Sequence, residues 1–148
     1  MATTPKAFMI SPLCARAFEL GWLLVVLYLE QGQHRPSVEK TVDMLASELG
    51  LNLPARWLEE VIRDREGSRF SGLIDRLSKQ LRQSSPHAWK YFAAGSRLVF
   101  EASDDHLDQA KQTISELNLP SHLREPQKDV FAWVNGIHSY FTDTICSR

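Results

Sequence analysis

The ten residues Leu20-Gly21-Trp22-Leu23-Leu24-Val25-Val26-Leu27-Tyr28-Leu29 carry no charge and are broken only by a glycine. A helix that is apolar on every side must be enclosed on every side. The segment therefore predicts either the central strut of a helical domain or a surface covered by a second chain. A membrane span needs about 20 predominantly apolar residues. Arg16 and Glu19 interrupt this run on one side, and Glu30 and Gln31 on the other, so a buried helix is the expectation. A signal peptide is disfavoured because the run is followed by Glu-Gln-Gly-Gln-His-Arg-Pro, which offers no small-residue cleavage site.

A chain of 148 residues, 43% hydrophobic and 24% charged, makes about one domain and buries enough surface to fold without staples. The net charge of −1 creates no whole-protein field toward nucleic acid or membrane. Cys14 and Cys146 lie near opposite ends and form neither a C-x-x-C pair nor a metal-ligand spacing. Two free thiols in a reducing cytosol are expected, which places the protein in the cytoplasm.

The remaining punctuation is helical. Ser11-Pro12 supplies a cap and a proline at the first helical position, predicting a helix to about Gln31 with Gly32 as its stop, and Arg16 and Glu19 pairing on its exposed first turns. Ser37 opens a second helix with Val38, Val42, Leu45 and Leu49 as its stripe and Gly50 as its stop. Trp57, Leu58, Val61 and Ile62 form a third stripe ending at Gly67, and Phe70, Leu73, Ile74, Leu77 and Leu81 a fourth. After Ser84-Ser85-Pro86, residues Trp89, Phe92, Ala93, Ser96 and Phe100 fit one helix face. Residues 97–100 alone also fit a short strand, but no second strand is available to pair with it, which favours helix. Ser103-Asp104-Asp105 caps a helix with Leu107, Ala110, Ile114 and Leu117 inward, and Pro126 starts a last helix with Val130, Val134, Ile137, Phe141 and Ile145 inward. The sum is a single all-α domain over residues 1–148, a bundle of about six to seven helices around the central apolar one, with residues 1–10 as a flexible N-terminus.

No pattern of catalytic residues stands clear of ordinary helix chemistry. Asp104, Asp105, His106 and Asp108 resemble metal ligands, yet acidic residues at a helix start are favoured by capping and the macrodipole alone. His138 and Asp143 are five apart and do not share a face, and no G-x-S-x-G or H-E-x-x-H is present. The stretch from Gly67 to Gly72 has small residues and an arginine but lacks the Gly-Lys-Ser/Thr ending of a phosphate loop, so a plain turn is expected. Residues 45–58 have a helix-turn-helix rhythm, but Arg56 and Glu59 fall where that motif wants core residues, and a simple helical hairpin is preferred. Neither a cofactor nor a metal is expected, and the chain reads as a non-enzyme.

Two surfaces remain for binding. Residues 68–100 hold six bases, Arg69, Arg76, Lys79, Arg82, Lys90 and Arg97, against the single acid Asp75. With Phe70, Trp89 and Tyr91 interleaved, the segment 69–97 has the composition of a single-strand nucleic-acid surface, although these aromatics share stripes with the leucines and read as core. On the last helix, Phe131, Trp133 and Tyr140 are left over from the inward stripe, and surplus aromatics on a terminal helix are the usual anchors of protein interfaces. The expectation is a protein–protein interaction module (an adaptor, a regulatory or small structural subunit, or an inhibitor) that binds another protein or itself and not a membrane. A nucleic-acid-binding accessory protein is the alternative.

Overall fold

The computed structural model describes residues 11–30, 36–62, 68–103, 106–126 and 128–146. Among the described residues there are eight helices and no strand: α1 (Pro12–Glu30), α2 (Pro36–Glu48), α3 (Trp57–Ile62), α4 (Ser68–Ser84), α5 (Pro86–Ser103), α6 (Leu107–Ser115), α7 (Ser121–Arg124) and α8 (Val130–Cys146). The expected flexible residues 1–10, the stops at Gly32 and Gly67 and the acidic pair Asp104-Asp105 lie outside the described residues. The protein is an all-α bundle, with one helix more than expected because the four-residue α7 carries no periodic signal of its own.

Local signals set most boundaries. Ser11 Oγ accepts a hydrogen bond from the Leu13 amide, and Pro12 occupies the first helical position, where its missing N–H is no loss. At the end of α2, Gly50 takes a φ of 70°. There the Gly50 amide donates to the Ser47 carbonyl and the Leu51 amide to the Ala46 carbonyl, the paired bonds of a Schellman stop. Residues 97–100 are helical and belong to α5. The last helix begins at Val130 and not at Pro126: Asp129 Oδ1 accepts from the Ala132 amide and caps it.

Helix α1 is the centre of the bundle, packed against α5, α8, α2 and α3. It is long and apolar enough to cross a membrane by length and composition, and 67% of that window is buried within the protein. The glycine inside its apolar run is where α5 meets it. A Cβ on Gly21 would lie 2.5 Å from the Phe92 carbonyl oxygen, and a Cβ on Gly95 would fall on the Phe18 carbonyl oxygen. Two helices that approach backbone to backbone leave no room for a side chain between them, which is why both positions are glycine. Around this seam Phe18, Leu20, Leu24, Leu27, Phe92 and Leu98 are fully buried, each contributing roughly 1.5–3 kcal/mol by its removal from water.

The first turns of α1 differ from expectation. Arg16 and Glu19 are both buried, and they do not pair with each other. Arg16 makes an ion pair with Glu48 of α2. Glu19 Oε1 lies 2.7 Å from His138 Nε2 on α8, and its Oε2 accepts from the Thr142 hydroxyl at 2.9 Å. The His138 ring is stacked on Trp22 with centroids 4.5 Å apart. Spacing along one helix had suggested a local pair, but burial makes a charge seek whichever neighbouring helix offers a partner.

Candidate functional site

Helices α4 and α5 are separated only by Ser85, a connection so short that they run antiparallel side by side. Each turns large side chains toward the other. Phe70 and Ile74 come from α4, and Trp89 and Phe100 from α5; between them lies an open groove of about 490 Å³. Tyr28 of α1 forms part of its foundation, stacked on Phe70 at 4.3 Å and edge-on to Phe100 at 6.3 Å. Side chains of this size do not fill the surface between the two helices evenly, and a concavity remains among them.

The walls of the groove are charged. Lys79 and Arg82 of α4 and Arg97 of α5 line it, with Asp75 the one acid among the lining residues. The Arg82 guanidinium carbon sits 4.3 Å from the centre of the Trp89 ring, a cation–π contact that covers one face of the indole. The groove therefore combines an apolar floor with a cationic rim, the surface chemistry that suits an acidic ligand with an apolar anchor.

Of the six bases in the segment 69–97, the fold brings Lys79, Arg82 and Arg97 together. Arg69, Arg76 and Lys90 are not among the residues that line the groove. The single face expected on α5 is divided between core and groove. Phe92 is in the core, but Trp89, Ala93, Ser96 and Phe100 line the groove, while Ala88, Tyr91, Ala94 and Leu98 are buried like Phe92. Two adjacent stripes on α5 are both apolar, and periodicity alone does not say which one faces the centre.

The surplus aromatics of the last helix are split. Trp133 is fully buried, contrary to its expected role at an exposed interface, and its Nε1 donates to the Leu123 carbonyl at 2.8 Å. The unpredicted turn α7 covers it and supplies the acceptor an indole needs when buried. Tyr140 is half-buried and lies edge-on against Phe141. Phe131 alone is open, at 68% exposure. The patch thus loses its central member.

Other polar groups are engaged within the bundle. His138 is engaged with Glu19 across the bundle. Among the described residues no three His, Cys, Asp or Glu side chains converge as metal ligands. Cys14 is a buried free thiol, and burial pushes its pKa up from the ordinary value near 9.0 against the lowering effect of a hydrogen bond from Ser11; such a thiol is a poor nucleophile. The connection between α2 and α3 runs over residues 49–56, longer than the three- or four-residue turn of a helix-turn-helix. Compared with known proteins, the chain matches no family model, no curated protein and no solved structure.

Proposed function

We propose that the protein is a non-catalytic interaction module that holds an acidic, apolar-anchored segment of another protein in the groove between α4 and α5. The observation that carries this reading is the meeting of Lys79, Arg82 and Arg97 with Trp89, Phe70 and Phe100 in one concave surface. Aromatic and arginine side chains are the commonest energetic anchors of protein interfaces, and a cationic rim selects acidic partners and speeds their encounter. Against the nucleic-acid alternative stand two features of the same groove. One face of the Trp89 ring, where a base would stack, is occupied by Arg82, and Asp75 stands in the wall. Three of the six bases lie outside, which reduces the phosphates one strand would neutralise.

The test is a photo-crosslinking residue at Ala93, inside the groove, in extracts of the source cells with and without nuclease. Crosslinks to acidic segments of a protein, unchanged by nuclease and abolished by Lys79→Glu, Arg82→Glu and Arg97→Glu together, are the expected result. Crosslinks that disappear on nuclease treatment would transfer the groove to nucleic acid.

A further inference from the structure

A second concavity, of about 300 Å³, lies away from the groove and shares no residue with it. Helices α2 and α8 both pack on α1 and make little contact with each other, so a cleft remains between them with α1 as its floor. Its walls are aliphatic: Leu23 from α1, Val38 and Leu45 from α2, and Ile145 from α8. Its polar end is the cluster of Glu19, His138 and Thr142.

The carboxylate of Glu19 is the informative group. Its side chain is only 7% exposed, yet it lines the cleft. An ionised carboxylate offers about four acceptor positions. His138 Nε2 and the Thr142 hydroxyl lie against one oxygen each, which leaves acceptor capacity on a buried carboxylate at the mouth of an apolar space. No lysine or arginine is among the described residues that line the cleft; Arg16, one turn away, pairs through Nε with Glu48 on α2 and does not line it. A buried carboxylate with spare acceptor positions is suited to a cationic hydrogen-bond donor, and the aliphatic walls favour an alkyl chain behind it.

We propose that this cleft binds a small aliphatic amine, its protonated amino group on Glu19 and its chain laid along Leu23, Val38, Leu45 and Ile145. At roughly 30 Å³ for each water-sized group, the volume accommodates about ten non-hydrogen atoms, which matches an amine of about eight carbons. The amine head discriminates against two isosteric competitors. An alcohol brings a donor but no charge, and a carboxylate meets Glu19 as a like charge.

The experiment titrates the intact protein with octylamine, 1-octanol and octanoate, following the methyl resonances of Leu23, Val38, Leu45 and Ile145. Saturable shifts with octylamine are expected at a Kd on the order of 0.1–1 mM, with octanol about tenfold weaker and octanoate unbound. Val38→Trp, at a half-buried wall position, fills the cleft and abolishes binding while the far-UV spectrum is retained. Glu19→Gln removes the preference for amine over alcohol; should that variant not fold, the ligand series and Val38→Trp decide the matter alone. Equal binding of octanol, tighter binding of octanoate, no saturable shift with octylamine, or unchanged binding in Val38→Trp would each overturn the proposal. Because no groove residue takes part, these outcomes leave the reading of the α4–α5 groove untouched.

Discussion

Helix α5 meets its neighbours in two different ways. Toward α1 it offers Gly95, and the two backbones touch; toward α4 it offers Trp89 and Phe100, and the two helices stand apart around a groove. One side is a sealed seam and the other an open surface, yet both are built from apolar residues on the same 18-residue helix. The difference is side-chain volume at the crossing. Small residues let helices close and exclude any ligand; large ones prop them open. In this bundle the groove is a place where bulky groups leave packing incomplete, and its polar rim follows from its access to water.

The sharpest way to break that comparison is to truncate the same residue on each side. Phe92→Ala, in the sealed seam, is expected to cost about 3–5 kcal/mol in urea unfolding, as a fully buried phenylalanine does. Phe100→Ala, on the groove side, is expected to cost only about 1 kcal/mol because the ring is already partly wet. Equal losses would mean that the two sides are packed alike.

Glycine substitutions give the next effect, with opposite signs. Alanine at an ordinary exposed helix glycine stabilises by about 1 kcal/mol, and Gly72→Ala on α4, where an added Cβ meets nothing, should behave so. Gly95→Ala should instead destabilise by about 2–3 kcal/mol, because the new methyl group falls on the backbone of α1 and the helices must part. Thermal melts of the two variants moving in the same direction would refute the backbone seam.

Water access can be read from titration. Tyr91 is buried on the sealed side, and its pKa is raised above the ordinary 10.0 chiefly by that burial, with the Asn118 amide donating to its oxygen in the lowering direction and Cys14 nearby in the raising direction. Tyr140 is raised by burial and by Tyr91. A group whose folded pKa is raised retains its proton better when folded, so its contribution to stability is intact below pH 10 and is lost as pH rises through the folded value. Tyrosine absorbance in the native protein should therefore show two phenols ionising above the usual range, with the unfolding midpoint falling as pH rises past 10. Ordinary titration of both would mean that solvent reaches the seam.

The smallest expected effect belongs to the rim. Arg82→Ala removes an exposed cation–π contact with Trp89 worth about 0.5–1 kcal/mol, so stability should scarcely change while crosslinking from the groove falls. A melting temperature lowered as far as in Phe92→Ala would make Arg82 a structural residue.

The fold is legible in the sequence where the signal is local. Ser11-Pro12 opens α1, Gly50 stops α2, and the stripe of Phe70, Leu73, Leu77 and Leu81 is the buried face of α4. It is not legible where the partner lies far along the chain. Arg16 and Glu19 are three residues apart, and their spacing suggested a pair; their true partners, Glu48 and His138, sit on other helices. Trp133 looked surplus because the turn that covers it has only four residues and no periodicity. The groove was half legible. Its bases stand out in the sequence, but Phe70 and Trp89 read as core and Phe100 is not among the candidate surface aromatics; which side chains converge depends on the rotation of α4 against α5, and helical spacing carries no information about that angle.

The buried charges on α1 have a consequence for how the chain finds a single arrangement. An apolar rod inside an apolar sleeve can be turned about its axis, or slid by a turn, with little change in the surface hidden from water. Hydrophobicity alone thus leaves many near-equal orientations. Arg16 and Glu19 remove that degeneracy. Any turn that separates them from Glu48, His138 and Thr142 strands an ionised group in the interior, at several kcal/mol. They act as the bit of a key, whose teeth add little to the strength of the lock and decide the one angle at which it closes.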